Sequence, residues 1–152
     1  MTTKTLRINN EAELAEFASI LAPSLKTGDV VTLVGTLGAG KTAFARHLIC
    51  ALAGEELEVP SPTFTLVQTY ELDDISIWHF DLYRLEEKEA DVLELGWDEA
   101  RRYGVALVEW SDRLGKLLPK DRLEIKMDLV DGQDTARDIT ISSYGNFKKI
   151  SF

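Results

Sequence analysis

The chain is 152 residues long, carries a formal net charge of −9 and has one cysteine, Cys50. That length suits one domain with a real core, spanning 1–152. The acidic balance speaks against a domain that grips nucleic acid by itself, the lone cysteine excludes an internal disulfide, and no apolar run is long enough for a membrane span or a signal region after Met1, so a cytoplasmic protein is expected.

Residues 5–8 read as a short first strand. Asn10 then caps a helix, with Glu13 three residues on as a capping-box-like partner, and Leu14, Phe17, Ala18 and Leu21 fall on one face at i, i+3, i+4, i+7. Residues 30–34 form an apolar strand that runs into Gly35-Thr36-Leu37-Gly38-Ala39-Gly40-Lys41-Thr42, and residues 43–49 run out of it as a helix that Gly54 ends. His47 falls on that helix's outer face, solvated, and Cys50 reads as small core filler. Pro60 and Pro62 keep the next connector extended. Residues 65–72 and 75–80 read as strands joined by Asp73-Asp74, a gap that implies an antiparallel hairpin. A helical middle over 84–104 is interrupted by Gly96 and stopped by Gly104, and residues 105–108 form a strand buried on both faces. One or two helical turns over 114–118 follow. Alternation at Leu123, Ile125, Met127 and Leu129, then at Ile139 and Ile141, predicts a second hairpin with one wet face. Residues 146–152 read as a loose tail. The expected architecture is α/β: a P-loop NTPase-like three-layer domain with a mixed parallel and antiparallel sheet.

The segment 35–42 is a G-x-x-x-x-G-K-[ST] phosphate loop, and its strand–loop–helix context agrees with the motif. Its glycines let backbone N–H groups close around phosphate oxygens at the positive end of a helix dipole. Gly35, Leu37, Gly38, Ala39, Gly40, Lys41, Thr42 and Ala43 are therefore the expected nucleotide contacts, Lys41 on the outer phosphates and the Thr42 hydroxyl on a magnesium ion. Hydrolysis also needs a carboxylate for that ion and a polar group for the attacking water. Asp81 and Glu109, each at the end of an apolar strand, are the candidates, though each alone also fits a cap on the next turn. Thr63, on the connector, can sense a terminal phosphate or simply hold a turn. His79 alternates to the same side as Asp81, as a base or as a satisfied structural histidine, and the second is favoured. Trp110 suits core packing, a base or a partner. No Asn-Lys-x-Asp string follows the loop, which disfavours guanine and leaves ATP by elimination. A small-molecule kinase with Asp81 as acceptor base and Arg84 as clamp, and a nucleotide-gated binding module, are the alternative readings; no lid segment supports the first.

Four strings occur together in order: the phosphate loop, Ser61-Pro62-Thr63-Phe64-Thr65-Leu66, His79-Phe80-Asp81-Leu82-Tyr83-Arg84-Leu85 and Val108-Glu109-Trp110. In this the chain resembles the TsaE family, also called YjeE, bacterial ATPases of tRNA threonylcarbamoyladenosine synthesis. The resemblance covers nearly the whole chain. It implies slow hydrolysis of magnesium-bound ATP in concert with TsaD-like and TsaB-like proteins. Those proteins place a threonylcarbamoyl group on the adenosine next to the anticodon of tRNAs that read codons beginning with A. The transfer chemistry would belong to TsaD, ATP turnover would reset the complex, and tRNA would be met through the partners. By matching positions, Lys41 and Thr42 would hold phosphate and magnesium, Asp81 and Glu109 would serve metal and water, and Thr63 and Trp110 would line the site. Two positions depart from the family pattern: Thr36, where an acidic residue often stands, and Ala43, where a second hydroxyl does. Loss of that hydroxyl removes about 1 kcal/mol of hydrogen bonding to the α-phosphate, while the backbone N–H remains.

Overall fold

The computed structural model describes residues 1–36, 38–62, 65–85 and 89–147. Seven strands, β1 (Thr2–Ile8), β2 (Val30–Val34), β3 (Val67–Glu71), β4 (Ser76–Asp81), β5 (Val105–Glu109), β6 (Arg122–Val130) and β7 (Gln133–Tyr144), form one sheet in the order β1-β7-β6-β2-β5-β4-β3. β2 pairs in parallel with both β5 and β6, and β4 in parallel with β5. The two hairpins, β3–β4 and β6–β7, are antiparallel, as is the pairing of β1 with β7. The sheet is mixed, as expected.

Alternation along the central strands divides the core. Val31, Leu33 and Leu107 join one apolar cluster, under α1 (Glu11–Leu21) and α2 (Lys41–Ala53). Val30, Ala106 and Val108 join the other, under α3 (Glu89–Glu94), α4 (Trp97–Tyr103) and a 3-10 segment, Ser111–Leu117. The result is three layers, with every residue of β5 buried between them. Helix α1 buries Leu14, Phe17, Ala18 and Leu21, the face that the spacing predicts, and Phe17 stacks on Phe44 of α2 at 5.3 Å.

Asn10 caps α1, its Oδ1 accepting from the Glu13 N–H at 2.9 Å. The Glu13 carboxylate reaches one residue further back than a capping box requires and accepts from the Asn9 N–H at 3.0 Å. Three other elements differ from expectation. β1 begins at Thr2 because its register with β7, Thr2 opposite Ser143, defines it; its outer residues are polar and exposed and carry no apolar signal. β3 begins only at Val67: Leu66 is left-handed at φ 69° and its N–H donates to the Pro62 carbonyl at 2.6 Å. The turn after β5 starts at Ser111 and is 3-10, with Gly115 out of helical geometry. Gly96 divides α3 from α4 for two reasons. It sits at φ 95°, and a Cβ there would lie 2.7 Å from the Trp78 ring. Among the described residues no helix is long and apolar enough to cross a membrane.

Candidate functional site

The loop between β2 and α2 lies over the carboxyl ends of the parallel strands, where open α/β sheets bind ligands. Two glycines allow the turn. Gly40, immediately before α2, is left-handed at φ 104°. Gly35, at φ 155°, brings its backbone against β6, so that a Cβ would lie 2.6 Å from the Met127 carbonyl oxygen.

Lys41 opens α2 and is only 5% exposed. Its Nζ donates to the Gly35 carbonyl at 2.6 Å and lies 4.0 Å from the centre of the Trp110 ring. Burial pushes the ammonium below lysine's ordinary range, against Glu109, Asp81 and Asp112, whose charges pull it upward. The cation thus sits among three carboxylates in a partly dry place.

The two strand-end carboxylates stand side by side, because Asp81 on β4 faces Glu109 on β5 in the ladder. Both are buried. Thr42 Oγ1 donates to Glu109 Oε1 at 3.0 Å, and Glu109 Oε2 is 2.7 Å from His79 Nε2. Asp81 Oδ1 accepts the Tyr83 N–H at 3.1 Å, so the capping role and a place in the site coexist. A cavity of about 330 Å³ is bounded by Gly38, Gly40, Lys41, Thr42 and Ala43 on one side and by Asp81, Glu109, Tyr83 and Trp110 on the other. Most of the expected site residues therefore meet in one place. Gly35 and Ala39 line the neighbouring cavities, and Leu37 and Thr63 lie outside the described residues.

Trp110 is half-buried against the second apolar cluster, and it also walls the site. Its backbone is left-handed at φ 60°, an uncommon conformation for a non-glycine residue, and its ring is 4.8 Å from that of Tyr83. It separates the cavity just described from a second one of about 330 Å³, beside Gly35 and lined by Ser111, Asp112 and Leu118; Lys41 and Trp110 wall both. A third cavity, of about 250 Å³, adjoins Ala39, Gly40 and Ala43 and is closed by Asn10, Glu11, Asp134 and Arg137.

Arg137 carries no signal in the sequence. Its Nε donates to the Ala39 carbonyl at 2.9 Å, across 98 residues of chain, and so ties β7 to the phosphate loop. Tyr83 was equally silent as a site residue. His79 could be placed by parity on the side of Asp81, but its bond to Glu109 could not. His47 is half-buried and not merely solvated; its Nε2 lies 3.1 Å from Glu11 Oε1 at the start of α1. Cys50 is half-buried and its sulfur accepts the Leu57 N–H at 3.4 Å.

The oxygen donors of Thr42, Asp81 and Glu109 suit a hard divalent cation. Among the described residues there is no group of three His, Cys, Asp or Glu that would cage a metal. Magnesium asks for none, since it binds through one or two protein oxygens and completes its shell with phosphates and water.

A family model for the threonylcarbamoyl adenosine biosynthesis protein TsaE matches residues 8–139. The chain is 44% identical over 126 residues to the tRNA threonylcarbamoyladenosine biosynthesis protein TsaE of Rickettsia felis, covering 83% of this chain and 73% of that protein. It is 38% identical over 141 residues to the protein of the same name from Bacillus subtilis, covering 92% and 85%. The crystal structure of Bacillus subtilis YdiB superposes with a TM-score of 0.78 at 35% identity, over 95% of this chain and 88% of that one. The matched stretch 8–139 takes in the phosphate loop and both strand-end carboxylates, and with these relatives it places the chain in the TsaE family.

Proposed function

We propose that residues 1–152 form a single phosphate-loop ATPase domain that acts in the threonylcarbamoyladenosine modification of tRNAs reading codons that begin with A. In this reading it works in the cytoplasm with TsaB-like and TsaD-like partners and meets tRNA through them. The observation that carries the reading is the convergence of Lys41, Thr42, Asp81 and Glu109 on one cavity at the start of α2. The family's relatives, whose printed names refer to tRNA threonylcarbamoyladenosine biosynthesis, support the pathway.

The chain's own groups have distinct tasks. Backbone N–H groups at the start of α2 receive phosphate oxygens, and the helix dipole favours their charge. Lys41 exchanges the Gly35 carbonyl for the outer phosphates, trading a neutral acceptor for a charged one. Bound through Thr42 with Glu109 or Asp81, magnesium would neutralise charge on the outer phosphates. The carboxylate not engaged with the ion orients the attacking water, and Trp110 with Tyr83 covers the phosphate tail. Ala43 borders both the phosphate cavity and the one closed by Asn10, Asp134 and Arg137, so the nucleoside extends into the latter.

Turnover of ATP by the protein alone, then with TsaB and TsaD, tests the reading. Slow release of phosphate alone and strong stimulation by the partners are expected; no stimulation would leave only a nucleotide-binding module. Transfer to a small acceptor is the second reading, favoured by the cavity beside Gly35. Phosphate found on a metabolite instead of in water would select it.

A further inference from the structure

His79 is fully buried in β4, the second strand from one edge of the sheet, in register with Leu107 of β5 and Gln68 of β3. Its Nε2 lies 2.7 Å from Glu109 Oε2, while its Nδ1 has no hydrogen-bond partner among the described residues. These two facts decide the tautomer. A proton on Nδ1 would be a buried donor with nothing to receive it, and it would leave two acceptors facing each other at Nε2. The proton therefore sits on Nε2 and is donated to the carboxylate.

Glu109 is then held from below. Oε2 accepts from a ring fixed in the core, and Thr42 Oγ1, at the mouth of the phosphate cavity, lies 3.0 Å from Oε1 and 3.3 Å from Oε2. An apolar side chain at position 79 would leave Oε2 of a nearly inaccessible carboxylate with only the longer Thr42 contact, and a single hydroxyl proton cannot hold both oxygens, so the group would turn about it.

We propose that His79 is a positioning residue: its Nε2–H fixes the rotation of the Glu109 carboxylate so that Oε1 is presented, beside Thr42, to the divalent ion of a bound nucleotide. This rests on the functional reading above and adds to it a residue that touches neither nucleotide nor metal. The arrangement parallels the outer partners that orient first ligands in metal sites generally.

The test compares His79→Leu, which removes the donor, with His79→Gln, which keeps an N–H near the Nε2 position. Affinity for ATP is measured in chelator and across a magnesium titration, with thermal unfolding of each variant alongside. His79→Leu should bind ATP like the parent in chelator and need roughly 10- to 100-fold more magnesium for the added affinity, and His79→Gln should recover most of it. A folded His79→Leu with the parent's magnesium requirement overturns the proposal. Should His79→Leu not fold, the nitrogen shifts of His79 in the labelled parent decide: protonated Nε2 supports it, and protonated Nδ1 overturns it. If the parent itself gains no affinity from magnesium, the functional reading falls and carries the proposal with it; a magnesium-dependent parent beside an unaffected His79→Leu removes the positioning role alone.

Discussion

Lys41 holds a charge in a place that burial makes costly, and among the described residues its Nζ meets a single carbonyl, that of Gly35, and a ring face. In the function proposed above, removing it strips the outer phosphates of their cation. Lys41→Ala should therefore lower ATP affinity by at least about 10- to 100-fold, the worth of one charged hydrogen bond, as read by nucleotide titration. Asp81→Ala and Glu109→Ala should spare affinity more than turnover; equal turnover in all three variants would refute the roles given to them. The lowered lysine pKa also fixes a sign. Bound phosphate requires the ammonium, so binding takes up a proton wherever the free protein has lost one. Affinity should be full below the depressed value and decline as pH rises through it, earlier than an exposed lysine near 10.4 would set. In the same window the unfolded chain binds more protons than the folded one, so this group favours folding more as pH rises. An ATP titration repeated at a series of alkaline pH values checks the first sign.

Between α3 and α4 the backbone turns on Gly96, pressed against the face of Trp78. Gly96→Ala should destabilise by about 1–3 kcal/mol through the positive φ and the ring contact together, measured as a shift in the denaturant midpoint. The interruption itself was legible, because glycine within a helical run has few other meanings. So was the buried face of α1, written in the spacing of Leu14, Phe17, Ala18 and Leu21, and so were the phosphate loop and the carboxylates at two strand ends. What stayed hidden has a common cause: it depends on pairing between distant segments. β1 acquires its first residues from β7, Arg137 reaches Ala39 from the far end of the chain, and His79 finds Glu109 only once β4 lies beside β5. A local window encodes none of these partnerships. The sequence does mark β6 as one side of a hairpin, through alternation at Leu123 and Ile125, but gives no sign that the same strand also lies parallel to β2.

For the molecule as a whole, the site joins elements from distant parts of the chain, so the nucleotide binding proposed above should be coupled to folding. Magnesium and ATP at about a hundred times the dissociation constant should add about 2.7 kcal/mol, a rise of roughly 5–10 °C in Tm for a protein of this size. A thermal melt with and without nucleotide checks this, and Lys41→Ala should abolish the shift. The strand order has one more consequence. Thr2 pairs with Ser143, 141 positions away, and β2 is flanked on one side by a strand that starts at Arg122. A nascent chain that already carries the loop and α2 lacks the wall against which Gly35 packs and the guanidinium that tethers Ala39. The sheet closes only when β6 and β7 join it, so a fragment that stops before Arg122 should have no assembled phosphate site, however intact its loop and α2.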